Sequence, residues 1–235
     1  MNISIEGIVV IVGNYGSGKT EVAINLAAHR RAAGATVRLA DLDLVNPYFR
    51  TRDARVALTD MGVEMVLPPE AYLHADLPIL SPAVAGMLKR PCDLTILDVG
   101  GDDAGATVLA ALGDAFAGLR YRMLQVVNPF RPFTQDIEGC TKIRREIEAA
   151  SRLSVNGLVG NANLLDETRP EIIIEGYAFV KDLADRTGLP LEWVTVPDAL
   201  ADELDAGAIG CPLLPIRRQL VPPWTARGRL TATRP

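Results

Sequence analysis

The run Gly13-Asn14-Tyr15-Gly16-Ser17-Gly18-Lys19-Thr20 constrains this chain more than any other feature, because it matches G-x-x-x-x-G-K-[ST] in full. It follows the aliphatic run Ile8–Val12 and opens a helix-like pattern over Thr20–Ala33. Strand, glycine-rich turn and helix N-terminus in that order form a phosphate cradle. Glycines let successive backbone N–H groups curl around a β-phosphate, and the helix end adds positive potential. Lys19 reaches the β- and γ-phosphates, and the Thr20 hydroxyl is a Mg²⁺ ligand. Every residue from Gly13 to Thr20 is thus a candidate nucleotide contact, with Lys19 also a catalytic candidate and Thr20 a metal candidate.

The rest of the chain alternates strand-like and helix-like segments. Strands are expected at Ile8–Val12, Val37–Ala40, Glu64–Leu67, Leu94–Leu97, Tyr121–Val127, Gly157–Val159 and Leu191–Val196. Several are continuous aliphatic runs, as in strands buried on both faces of a parallel sheet. Helices are expected at Thr20–Ala33, Ala104–Ala117, Gln135–Ala150 and Pro170–Thr187, with Gly34 and Gly188 as stop signals and Pro170 at a first helical position. The stretch Pro68–Pro91 holds five prolines and is expected to be a loop with a short helix near Val84–Leu88. This pattern predicts an α/β fold: a three-layer P-loop NTPase with a mostly parallel sheet flanked by helices on both faces. A length of 235 residues fits one domain, expected over 1–205, with a Pro/Arg-rich tail over 206–235 packed on it or trailing from it.

Composition narrows the setting. No apolar run approaches the ~20 residues of a membrane span, the N-terminus has no signal-peptide pattern, and the three cysteines form no CxxC pair. A cytoplasmic location is expected. The net charge of −5 gives no strong nucleic-acid signal. Basic residues gather after Asp205, at Arg217, Arg218, Arg227, Arg229 and Arg234. His29 and His74 are far apart and suggest no metal centre, and Cys92 and Cys140 read as small core hydrophobes.

Two acidic groups end strands near the phosphate loop: Asp41-Leu42-Asp43 and Asp98-Val99-Gly100-Gly101. Ligands in open α/β sheets gather at the carboxyl ends of strands. Asp98 is the candidate carboxylate holding Mg²⁺ through water, and Gly101 the candidate N–H donor to a γ-phosphate. Loop or helix capping is the competing role for these carboxylates, and the better one for Asp102 and Asp103.

With those residues in view, the chain resembles the ParA/MinD/CobQ-type P-loop ATPases of the SIMIBI class. The resemblance rests on Gly18-Lys19-Thr20, Asn25-Leu26-Ala27-Ala28, Gly34 and Leu39-Ala40-Asp41-Leu42-Asp43, with Val126-Val127-Asn128-Pro129 and Val196-Pro197-Asp198 similar to later motifs. It implies a seven- or eight-stranded sheet, Mg²⁺ with ATP or ADP as ligands, slow hydrolysis, and switch loops that signal to a partner. By the same resemblance Asp43 orients the attacking water, Asp41 helps hold Mg²⁺, and Asn161 and Pro197 contact the base. Many such relatives carry a signature lysine after the first glycine, reaching across a dimer. Asn14 stands there, so homodimerisation stays open and Arg50 or Arg52 is a substitute cation. The acidic switch also resembles that of iron protein-like reductases, whose cluster cysteine is replaced here by Gly105. Guanine-reading relatives use N-K-x-D; the matching Asn161-Ala162-Asn163-Leu164 ends in a leucine, which favours ATP over GTP. The expected function is therefore a Mg-ATP-binding protein and slow ATP hydrolase, switching an unknown protein partner. A synthetase of the cobyrinate or dethiobiotin type, or a metal-centre maturation NTPase, is the alternative.

Overall fold

The continuous aliphatic runs become strands hidden on both faces of one sheet. The computed structural model describes residues 3–43, 54–66, 82–90, 92–101, 103–205 and 207–220. Its strands are β1 (Gly7–Val12), β2 (Val37–Leu42), β3 (Glu64–Val66), β4 (Leu94–Val99), β5 (Tyr121–Val127), β6 (Gly157–Gly160), β7 (Leu191–Pro197) and β8 (Leu213–Ile216). They pair in the order β3-β2-β4-β1-β5-β6-β7-β8, and every pairing is parallel. The helices are α1 (Lys19–Ala32), α2 (Arg55–Asp60), α3 (Pro82–Leu88), α4 (Asp103–Ala111), α5 (Gly113–Phe116), α6 (Ile137–Ser151) and α7 (Pro170–Thr187). This is the expected three-layer α/β P-loop NTPase fold.

Alternation along β1 shows how the layers form. Successive side chains of a strand point to opposite faces. Val9 and Ile11 join Val22 and Leu26 of α1 and Leu58 of α2 in one core. Val10 and Val12 join Val108 and Leu109 of α4 and Phe116 of α5 in the other. Further along the sheet, α7 packs Val180 and Leu183 with Leu158 of β6, and Ile173 with Val194 and Val196 of β7. All of these side chains are buried, and Val9, Val10 and Ile11 have no exposed surface. At roughly 1.5–3 kcal/mol per fully buried aliphatic side chain, such a sheet forms a stiff floor for the loops at its carboxyl edge.

Local signals set the helix ends. Asp136 caps α6 by accepting from the Gly139 N–H at 2.7 Å, so this helix starts after Asp136 and not at Gln135. Gly188 ends α7 with φ +70°, the left-handed conformation in which a side chain costs most, and Pro170 begins it. The helix expected over Ala104–Ala117 divides at Leu112 into α4 and α5, where Gly113 weakens helix continuity. The sequence reading missed α2 and β8. Strand β8 lies inside the stretch expected as a tail, and it pairs with the full carboxyl half of β7.

Candidate functional site

The loop between β1 and α1 lies at the carboxyl edge of the central strands. β1 runs between β4 and β5; the chain leaves β1 towards β2 and leaves β5 towards β6, in opposite directions along the sheet, which makes the crevice where open α/β folds take ligands. Gly18 has φ +89°, which a residue with a side chain rarely adopts, and so α1 can start immediately with Lys19. Lys19 is buried, and its Nζ donates to the Asn14 carbonyl at 3.1 Å. The ammonium thus lies folded along its own loop.

Gly101 faces the same point from the end of β4. A Cβ there would stand 2.6 Å from Lys19 Nζ and 2.9 Å from the Tyr15 backbone nitrogen. Only a glycine leaves room between the lysine and the loop amides. The carboxylates divide by depth. Asp43 lines the cavity beside Thr20 and Gly101. Asp41 and Asp98 are paired partners across β2 and β4 and have no exposed surface. Asp41 accepts from the Asp43 N–H at 3.0 Å, so the buried carboxylate positions the cavity-facing one. A magnesium ion prefers one or two carboxylates plus waters and substrate phosphates over a closed protein cage. Thr20 and the neighbouring carboxylates fit that need, and among the described residues no group of three or more His, Cys, Asp or Glu forms such a cage.

The cavity has a volume of about 650 Å³, enough for a nucleotide, and runs from the phosphate loop to a second end built by β6, β7 and β8. Pro197, Asn161, Asn163, Leu165 and Asp166 line that end, which brings both expected base contacts to the same cavity as the loop. Asn161 is buried, and both ends of its amide are engaged. Its Nδ2 donates to the Ser17 carbonyl at 2.6 Å, and its Oδ1 accepts from the Thr195 hydroxyl at 2.5 Å. It ties the phosphate loop to β7. The following turn is held from several sides: Asn128 Nδ2 donates to the Asn163 carbonyl, Asn163 Oδ1 accepts from the Leu165 N–H, and Thr168 Oγ1 accepts from the Leu164 N–H. Leu165 is forced to φ +58°, and Asp166 then lines the cavity. Leu164 is indeed no acceptor, but the reading from N-K-x-D missed the carboxylate two residues further on.

The wall opposite the base-side turn comes from the chain after β8. Asn25 on α1 exchanges two hydrogen bonds with the Arg217 backbone, donating to its carbonyl at 3.0 Å and accepting from its N–H at 2.9 Å. One turn earlier, Glu21 accepts from the N–H groups of Gln219 and Leu220. Burial pushes the Glu21 carboxyl up to about 7, against the lowering effects of those two amides, Arg218 and Asn25. Arg217 pairs with Asp198 at 2.6 Å, and Ile216, Arg217, Arg218 and Leu220 all line the cavity. No motif in the sequence marked this segment as part of the site; only its gathering of arginines stood out.

Among the sequence candidates, Arg50 and Arg52 fall outside the described residues, as do Asp102, His74 and the Tyr48-Phe49 pair. His29 is on α1 away from the cavity lining, where burial and the neighbouring Arg30 hold its pKa below the usual value. Among the described residues no helix is long and apolar enough to cross a membrane.

No family profile and no curated protein matches the chain. Solved structures do. The cell division protein FtsY of Thermotoga maritima is 21% identical with a TM-score of 0.59, over 83% of this chain and 64% of that one. The signal recognition particle receptor FtsY of Elizabethkingia anophelis, in complex with GDP, is 18% identical with a TM-score of 0.56, over 87% of this chain and 62% of that one. The 54 kDa signal recognition particle protein of Aeropyrum pernix, also in complex with GDP, is 19% identical with a TM-score of 0.53, over 80% and 41%. The chain thus spans less than two thirds of the length of these neighbours. The likeness is one of fold. It supports the three-layer α/β architecture with a phosphate loop after the first described strand.

Proposed function

We propose that this chain binds a Mg²⁺–nucleoside triphosphate and hydrolyses it slowly, as a switch read by a protein partner. The observation that carries this is one continuous cavity with Lys19, Thr20 and the loop amides at one end and the Asn163–Asp166 turn at the other. In hydrolysis, water attacks the γ-phosphorus in line and a new P–O bond forms. The bond from the γ-phosphorus to the β–γ bridging oxygen breaks, and its electron pair stays on that oxygen, giving a nucleoside diphosphate. The proton lost by the water ends on inorganic phosphate or solvent. Lys19 and the loop amides bind the phosphates; Asp43, at the cavity wall, orients the water. Thr20, with Asp98 and Asp41 through water, would hold Mg²⁺, which neutralises charge developing on the phosphate oxygens. Two exposed aromatics, Tyr15 and Phe133, stand beside the phosphate end and suit contact with a partner.

Two bases fit the far end. Leu164 in place of the guanine-reading carboxylate argues for adenine, the reading made from sequence. Asp166 at the cavity wall argues for guanine, because a carboxylate can accept from the N1–H and exocyclic amine of that base alone. The GDP-bound neighbours weigh on the same side. Titration calorimetry of the full chain with ATP, ADP, GTP and GDP, each with Mg²⁺, tests both levels. One purine series should bind the wild type, and Lys19→Ala should lose at least ~100-fold in affinity, in line with several charge-assisted phosphate contacts at ~1.5–3 kcal/mol each. Unchanged affinity in Lys19→Ala would reject the site. Asp166→Ala should weaken GTP at least ~10-fold if guanine is bound, and leave ATP unchanged if adenine is.

A further inference from the structure

The loop after β5, Asn128–Thr134, is held by more contacts than a surface connection needs. Asn128 Oδ1 accepts from the Phe130 N–H at 3.1 Å, and the Asn128 carbonyl accepts from the Arg131 N–H at 3.2 Å and the Thr134 hydroxyl at 2.7 Å. Phe133 is forced to φ +69° while the residue is 77% exposed, so side-chain burial does not repay that conformation. From the other side, Asn14 Nδ2 donates to the Pro132 carbonyl at 2.8 Å. The residue standing in the signature-lysine position therefore ties the phosphate loop to this second loop.

What the arrangement places is Arg131. Its side chain lines the cavity, with its Cδ 3.9 Å from where a Cβ on Gly16 would stand. Its Nε is enclosed yet has no hydrogen-bond acceptor among the described residues. An enclosed guanidinium N–H without an acceptor is costly unless an anion completes it. Gly16 is the middle of the phosphate loop, whose backbone meets the β- and γ-phosphates.

We propose that Arg131 is a catalytic residue acting in cis: its guanidinium contacts the γ-phosphate and the β–γ bridging oxygen of the bound triphosphate. This rests on the nucleotide reading above and adds to it the cation that Asn14 does not supply. As the bond from the γ-phosphorus to the bridging oxygen breaks, the electron pair left on that oxygen is neutralised by Arg131 together with Lys19. Because the arginine comes from the same chain, turnover needs no second subunit. Asn14 has a positioning role, fixing the loop that carries Arg131.

The test compares wild type, Arg131→Ala, Arg131→Gln, Arg131→Lys and Lys19→Ala. Calorimetry with Mg²⁺ and ATP, ADP, GTP or GDP measures affinity, and single-turnover assays with γ-labelled ATP and GTP measure chemistry. Arg131→Ala and Arg131→Gln should keep diphosphate affinity within ~3-fold and lose ~10-fold or more for the triphosphate, as expected for one lost charge-assisted contact. Their single-turnover rate should fall ~10³-fold, the lower range for removal of an arginine finger. Arg131→Lys should restore triphosphate affinity more than rate, because an ammonium supplies charge without the planar fork. A wild-type rate and triphosphate-to-diphosphate ratio in Arg131→Ala would overturn the proposal. Equal losses for both phosphates in the Ala and Gln variants, with an early thermal transition, would also overturn it by showing a structural role. If the wild type binds none of the four nucleotides, the nucleotide reading fails with it. If only Lys19→Ala is defective, the nucleotide reading stands and the role of Arg131 falls.

Discussion

Asp41 and Asp43 are two residues apart at a strand end and share chemistry, but their surroundings give them different tasks. Asp43 reaches the cavity and Asp41 is fully buried, accepting the Asp43 N–H. Asp43→Ala should therefore keep triphosphate affinity within a few-fold and lose ~10²-fold or more in single-turnover rate, the scale of a group that handles the attacking water. Asp41→Ala should lower stability by about 1–3 kcal/mol by leaving the Asp43 amide without its acceptor, and should raise the Mg²⁺ concentration needed for turnover, the role proposed for it above. Denaturant melts and single-turnover assays separate the two, and a wild-type rate in Asp43→Ala would reverse the assignment. The cysteines give a second residue-scale expectation. Burial pushes the Cys140 thiol up to about 12 and the Cys211 thiol up to about 11, so at pH 8 both hold almost no thiolate. Native protein treated with iodoacetamide at that pH should show Cys140 unmodified by mass spectrometry until denaturant is added. At this scale the sequence was legible where chemistry is local: the glycines, Lys19 and Thr20 are adjacent in the chain. Asp166 and Arg131 were not, because neither sits at a motif position. Both line the cavity from loops that carry a left-handed residue, Leu165 and Phe133.

Elements were legible where burial made the pattern. All seven expected strands form, since a strand buried on both faces must be aliphatic throughout. β8 escaped because Leu213-Leu214-Pro215-Ile216 is short and holds a proline, which is tolerated at a sheet edge where one N–H faces away from the ladder. What fastens β8 and the residues after it is α1. Asn25 completes the hydrogen bonds of the Arg217 backbone, and Glu21 takes the amides of Gln219 and Leu220. The helix that follows the phosphate loop therefore also holds the opposite wall of the cavity. Asn25→Ala, a change outside the cavity lining, should destabilise the protein by about 1–3 kcal/mol by orphaning two backbone groups. It should also weaken whichever purine nucleotide binds by several-fold, while tripolyphosphate, which has no base, binds as to wild type. Denaturant unfolding and calorimetry read these separately. An equal loss for nucleotide and tripolyphosphate would show that Asn25 acts on the phosphate loop instead.

At the scale of the molecule, the site draws on both ends of the chain. The phosphate loop follows β1, and the far wall follows β8, almost 200 residues later by the Glu21–Leu220 bond. Neither region was joined to the other by any sequence motif, because the connection is made by side chains of one helix to the backbone of a distant strand. A ligand filling the cavity touches both and cannot stabilise one alone. Binding to the native state at a concentration 100-fold above Kd adds ~2.7 kcal/mol to global stability, which for a chain of this size corresponds to a rise of ~5–10 °C in Tm. Hydrogen exchange should show where that energy is felt. On adding Mg²⁺ and the triphosphate that binds, amides of residues 13–20 should slow, and amides of residues 213–220 should slow with them. The edge strand β3, at the opposite end of the sheet, should change much less. In Asn25→Ala the response of 13–20 should persist while that of 213–220 fades, since the clip that couples them is gone. Protection confined to the phosphate loop in the wild type would mean that the nucleotide does not extend to the β8 wall, and the base site would have to be sought elsewhere.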